Sequence, residues 1–134
     1  MRRNTHLGTF GLSDGLITPV GIAHRCASAI VKAKLPVTPR PYQSHRDYCL
    51  YFASGGQQCG ICVKRCPAQA IQTYLHGVPG RSKVLCFKYI SDVVTPYVKA
   101  KYPDNTAYTL YCARCQVNVP CESGIPMGIK IKNT

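Results

Sequence analysis

The apolar and polar positions of the chain fall into stretches of different period. Residues 27–35, "ASAIVKAKL", alternate Ala29, Val31, Ala33 and Leu35 against Ile30, Lys32 and Lys34, a two-residue period that predicts a short strand. Farther on, in "SKVLCFKYISDVVTPYVKAKYP" (82–103), Leu85, Tyr89 and Val93 stand at helical spacing. They predict a helix with an apolar stripe that ends or kinks at Pro96, because proline lacks an N–H and its ring crowds the preceding turn. The opening "HLGTFGLSDGLITPVGIAHR" (6–25) is apolar and glycine-rich but shows turn dipeptides rather than a period. Residues 7–22 therefore read as an exposed arm with little core of its own, a surface for a partner subunit or a second copy. "PVTPRPYQSH" (36–45) reads as an extended connector, "DNTAYTLY" (104–111) as a polar turn, and "SGIPMGIKIKNT" (123–134) as an irregular, frayed end.

Cysteine content changes this picture. Nine cysteines in 134 residues is far above ordinary usage. The N-terminus builds no uninterrupted apolar h-region and no stretch approaches the ~18 apolar residues of a membrane span, so a cytoplasmic chain with reduced thiols is expected. In that compartment close cysteines bind metal more often than they form bridges, and an odd count fits a complete disulfide framework poorly.

An internal repeat organises eight of the nine. The first half reads Cys49, then Cys59-x2-Cys62-x3-Cys66-Pro67; the second reads Cys86, then Cys112-x2-Cys115-x5-Cys121, with Pro120 before the last cysteine. Each half supplies one remote cysteine, one C-x2-C pair and one cysteine beside a proline. In the two-cluster bacterial ferredoxin pattern, three close cysteines bind one 4Fe–4S cluster and the cysteine before proline ligates the other. Here Gly56 stands where the first of three close cysteines is expected, and Cys49 is assigned that corner; Val119 stands at the crossing position, which Cys121 fills two residues late. The expected sets are Cys49, Cys59, Cys62 and Cys121 for one cluster, and Cys66, Cys86, Cys112 and Cys115 for the other. Neither half closes a cage alone, so the metal-free chain should be largely unfolded here. Two four-thiolate zinc sites could use the same residues, although zinc ribbons usually pair two C-x2-C groups across one ion.

Charge adds a second alternative. Seventeen Lys and Arg against five acidic residues give a formal +12. Two clusters, each about −2 with its thiolates, leave about +8. Such a surface steers acidic partners, and it also suits a zinc-stabilised or cluster-containing module that binds nucleic acid such as tRNA.

"CGICVKRCPAQAI", the isolated "CFKYI" and "YCARCQVNVPCESGIP" together resemble the C-terminal ferredoxin-like part of epoxyqueuosine reductase-like proteins, relatives of the corrinoid reductive dehalogenases. "PCESGIP" resembles an anaerobe branch of that group, and "LGTFGLSDGLITPVGIAHR" resembles the segment entering the iron–sulfur part. The resemblance implies an electron-transfer module or subunit of an oxidoreductase rather than a complete enzyme. It implies delivery of electrons to a partner's cofactor, a corrinoid held mainly by that partner, with ferredoxin or flavodoxin as the redox partner. In such proteins most of the corrinoid-binding half precedes the glycine-rich segment with which this chain begins. None of Asp14, Asp47, Asp92, Asp104 and Glu122 matches a catalytic motif, so no catalytic residue is assigned.

The expected fold is α+β: a small two-cluster bacterial-ferredoxin-like domain with pseudo-twofold halves over 46–134, preceded over 1–45 by the glycine- and proline-rich arm and a short strand, the remnant or edge of a cofactor-binding domain. Outside the cages, Gly8, Gly11 and His24 are the candidates for the side facing a further cofactor, although turn requirements explain the glycines as well. Cys26 is expected to be a small buried hydrophobe. His6, His24, His45 and His76 share no ligand spacing. Tyr48, Tyr51, Tyr89 and Tyr111 lie near cysteines and are expected to shield the clusters from water.

Overall fold

The computed structural model describes residues 7–27, 29–34, 39–75, 78–104 and 111–129. Within them short helices combine with two small antiparallel sheets, an α+β arrangement. His6, His76, residues 105–110 of the polar turn and the "KIKNT" tail lie outside the described residues, as do Ser28 and Leu35 of the expected strand.

The glycine-rich opening is the centre of the fold rather than an exposed arm. Strands β1 (Thr9–Phe10) and β2 (Leu16–Ile17) pair with Thr9 opposite Ile17 and Phe10 opposite Leu16. Leu12, Ile17 and Ile22 are almost completely buried and cluster with Tyr48, Cys49, Ile71 and Val119. Each such side chain contributes about 1.5–3 kcal/mol on burial, so this segment carries a large share of the apolar stabilisation. Glycine makes the packing feasible. At Gly8 (φ +141°) a Cβ would lie 2.0 Å from the Ile17 carbonyl oxygen, and at Gly15 it would lie 2.5 Å from the Ile22 side chain. Polar groups in the core are matched: buried Thr9 accepts from the Tyr48 amide at 2.8 Å, and Phe10 N–H donates to the His45 carbonyl at 2.7 Å. The core therefore spans both sides of the expected 1–45/46–134 division.

No strand forms over the described residues of the expected 27–35 segment. Residues 29–34 are exposed and irregular, with Ile30 fully in solvent. Alternation predicts a strand only where a neighbour takes up the backbone hydrogen bonds, and no such neighbour is present among the described residues.

Helix α1 (Leu50–Ala53) starts at Cys49, and α2 (Ile61–Arg65) follows the first C-x2-C loop. A hairpin of β3 (Ile71–Leu75) and β4 (Val78–Arg81) follows, with Ile71 opposite Arg81 and Gln72 opposite Gly80. Ser82 then caps α3 (Lys83–Tyr89), its hydroxyl accepting from the Leu85 amide at 3.3 Å.

Pro96 does not end this helix. A π-helical turn over Ile90–Val94 precedes α4 (Thr95–Lys101), which carries the proline in its first turn. Proline is tolerated at a helix start, and the wider turn opens the register ahead of its ring. The face turned to the protein holds Cys86, Tyr89 and Ile90, whereas Leu85 and Val93 of the expected stripe are exposed. Among the described residues no helix is long and apolar enough to cross a membrane.

Candidate metal centre

The eight repeat cysteines occupy structurally distinct places. Cys49 precedes α1, Cys62 lies in α2, Cys66 ends α2 and Cys86 sits within α3. Cys59, Cys112, Cys115 and Cys121 are in loops and turns. Both C-x2-C loops curl through left-handed backbone: Cys59 (φ +71°) and Gly60 (φ +88°) in the first, Ala113 (φ +57°) in the second. The loops are tied together where Arg65 Nε donates to the Arg114 carbonyl at 3.1 Å.

Two cavities gather these thiols in fours. The first is narrow, about 20 Å³, and is lined by Cys49, Cys59, Cys62 and Cys121 with apolar neighbours that include Leu12, Ile17 and Val119. The second is larger, about 220 Å³, and is lined by Cys66, Cys86, Cys112 and Cys115. Each cavity thus draws three cysteines from one half of the sequence repeat and one from the other. Among the described residues, no group of three or more His, Cys, Asp or Glu side chains is placed to hold a metal ion.

Electrostatics follows the same grouping. Burial pushes the Cys62 thiol up to about 12, with further increments from Cys49, Cys59, Cys121 and Cys115. Cys121 is also pushed up to about 12, by burial first and then by Cys49 against its own backbone amide. Cys115 is raised by burial, opposed by the positive charge of Arg81, with Cys66 and Cys86 adding to the rise. Cys62 and Cys121 of the first group and Cys66 and Cys115 of the second pack against the same core cluster, so the two cavities are neighbours. Backbone amides reach sulfur as well: Ala70 N–H donates to Cys66 Sγ at 3.3 Å.

Residues around the thiols differ from expectation in part. Tyr51 borders the first cavity, Tyr89 and Tyr111 border the second, and Tyr48 is buried in the core, edge-on to Tyr42 at 5.6 Å. Cys26 is exposed rather than buried, as are residues 29–34 that follow it. Gly8 serves the close approach of β1 to β2, and the Gly11 carbonyl accepts from Arg46 at 2.7 Å while the residue borders the first cavity. His24 borders the second cavity, and its buried Nδ1 has no hydrogen-bond partner among the described residues.

Sequence reading missed the cluster of arginines there. Arg25, Arg81 and Arg114 all line the second cavity, and the Arg25 guanidinium lies 3.4 Å from the centre of the Tyr111 ring. Arg114 lies inside the C-x2-C loop itself, the one local sign that basic residues belong to this site. No family model, curated protein or solved structure matches the chain.

Proposed function

We propose that the chain is an iron–sulfur electron-transfer protein whose eight repeat cysteines hold two 4Fe–4S clusters. The observation that carries this reading is the division of the thiols into two cavities of four, each completed by a cysteine from the other half of the repeat. The donor set suits such a group: four thiols per cavity, no carboxylate among the described residues lining either, and apolar side chains around the first. Thiols that burial and one another push up to about 12 stay protonated in the metal-free chain, so a metal core is the counter-charge that makes them thiolates. Four-thiolate zinc could use the same residues, but a third cysteine and a proline beside each C-x2-C pair favour the cluster pattern.

When bound, the clusters would accept and release single electrons. The chain's own residues do the rest. The C-x2-C loops and the ends of α2 present the thiols, Ala70 N–H steadies Cys66 Sγ, and Leu12, Ile17 and Val119 keep water from the first cavity. The nearness of the two cavities favours exchange between them, and the basic surface favours docking of an acidic ferredoxin or flavodoxin. The resemblance to epoxyqueuosine reductase-like proteins supports a corrinoid on a partner subunit as the acceptor, and the sequence repeat supports pseudo-twofold, ferredoxin-like halves.

The test is an anaerobic preparation, which should be brown with broad absorption near ~400 nm. Colourless protein carrying zinc would replace this reading with a zinc-stabilised module. The formal +12 favours RNA as the alternative partner, and retention on tRNA with a steep salt dependence would establish it.

A further inference from the structure

The two cavities share a ligand set but have opposite electrostatic surroundings. Among the described residues no charged side chain lines the first. Three arginines and His24 line the second. Two donor atoms there, His24 Nδ1 and Arg81 Nε, are buried and have no hydrogen-bond partner among the described residues. Burying a polar group without a partner is costly, more so when it is charged, so two such atoms at one cavity call for an acceptor inside it.

Both donors are held by backbone that the fold fixes elsewhere. Arg81 stands opposite Ile71 in the β3–β4 hairpin, and Ile71 is itself in the core. His24 follows Ile22, whose amide is anchored on the Cys121 and Glu122 carbonyls, and the His24 N–H donates to the Ile22 carbonyl at 2.9 Å. The backbone that carries both residues is thus anchored to the core. The charge of Arg81 is already felt at Cys115.

Resting on the two-cluster reading, we infer that His24 and Arg81 are positioning residues that donate to the anionic group bound by Cys66, Cys86, Cys112 and Cys115, and hold its reduction potential above that of the group bound by Cys49, Cys59, Cys62 and Cys121. His24 donates in its Nδ1–H tautomer. Arg81 supplies both a hydrogen bond and a fixed positive charge. Hydrogen bonds to the sulfurs, net charge and solvent exposure set the potentials of such groups, and added negative charge is favoured where cations and donors face it. One electron supplied by a one-electron reductant therefore resides at the second centre first.

An EPR-monitored potentiometric titration of the anaerobic full chain tests this, with Cys86→Ser marking the signal that belongs to the second centre. The wild type should give two separated midpoints, the higher at the marked centre. Arg81→Gln and His24→Phe should each lower that midpoint by about tenfold in the reduction equilibrium, about 59 mV for one electron, and leave the other in place. Arg81→Lys, which keeps the charge, should restore part of the shift, a result that a merely structural role would not give. Coincident midpoints, a higher midpoint at the unmarked centre, or midpoints unmoved in both variants with full iron content would overturn the inference and leave the two-cluster reading standing. Protein without clusters would overturn both.

Discussion

The amide of Ile22 donates to the carbonyl of Cys121 at 2.8 Å, and it also reaches the carbonyl of Glu122 at 3.1 Å. A residue near the start of the chain therefore fixes the backbone of the last cysteine in the repeat. Gly21 permits the contact. Its φ is +97°, and a Cβ there would lie 2.0 Å from the Glu122 carbonyl oxygen. That neighbour is backbone and cannot swing aside.

Gly21→Ala should accordingly separate the two segments and disturb Cys121 first. The expected loss is about 2–4 kcal/mol of stability, the range for strain at a special backbone conformation combined with a steric clash. Thermal unfolding reads the loss, and iron analysis should show the centre containing Cys121 depleted before the other.

The buried opening segment gives a second expectation. Ile17 has no exposed surface, whereas Ile30 is fully exposed. Ile17→Ala should cost about 2–5 kcal/mol, and Ile30→Ala should fall within about 0.5 kcal/mol of the wild type. Denaturant unfolding of the two variants decides whether residues 7–22 are core or appendage.

How much of this could be read from residue order differs from place to place. The gathering of the eight cysteines at two cavities follows the spacing of the sequence repeat, because C-x2-C pairs and the neighbouring proline are local signals. Burial of Leu12, Ile17 and Ile22 was not legible, since it depends on Tyr48, Val119 and the Cys121 carbonyl, none of which a local pattern reveals. Glycine misled as well: Gly8, Gly15 and Gly21 look like flexible turn residues, yet each marks a close approach. At 27–35 alternation existed without a neighbouring strand. At Pro96 the π turn over Ile90–Val94 absorbed a residue expected to end the helix. The arginines of the second cavity were visible only as scattered charge, because Arg25, Arg81 and Arg114 come from three separate segments.

Thiol accessibility gives a third expectation. In the reduced, metal-free chain Cys26 and Cys59 are exposed, while burial keeps Cys62 and Cys121 protonated. Alkylation at pH 7.5 followed by mass spectrometry should label Cys26 and Cys59 first, and Cys62 and Cys121 last. These raised values also set the pH dependence of any chain that lacks metal but stays folded. Between the ordinary thiol value of 9.0 and about 12 the folded chain keeps protons that the unfolded chain has released. Stability from this source is complete below that window and is lost as pH rises through it.

Ligand pairing gives a fourth. Cys49→Ser and Cys121→Ser should each remove about half of the iron, and the double variant should lose little more than either single one, because both residues serve one centre. Cys49→Ser combined with Cys66→Ser should remove nearly all of it. Cys26→Ser should leave iron content unchanged. Additive loss in the Cys49/Cys121 double variant would assign those two cysteines to different centres.

The account rests most heavily on what eight thiols hold, and metal analysis of the anaerobically purified full chain addresses that directly. Iron, zinc and acid-labile sulfide are measured together, per chain. The prediction is about eight iron and about eight sulfide with no stoichiometric zinc. Zinc without sulfide, or iron and sulfide sufficient for one cluster alone, would contradict it.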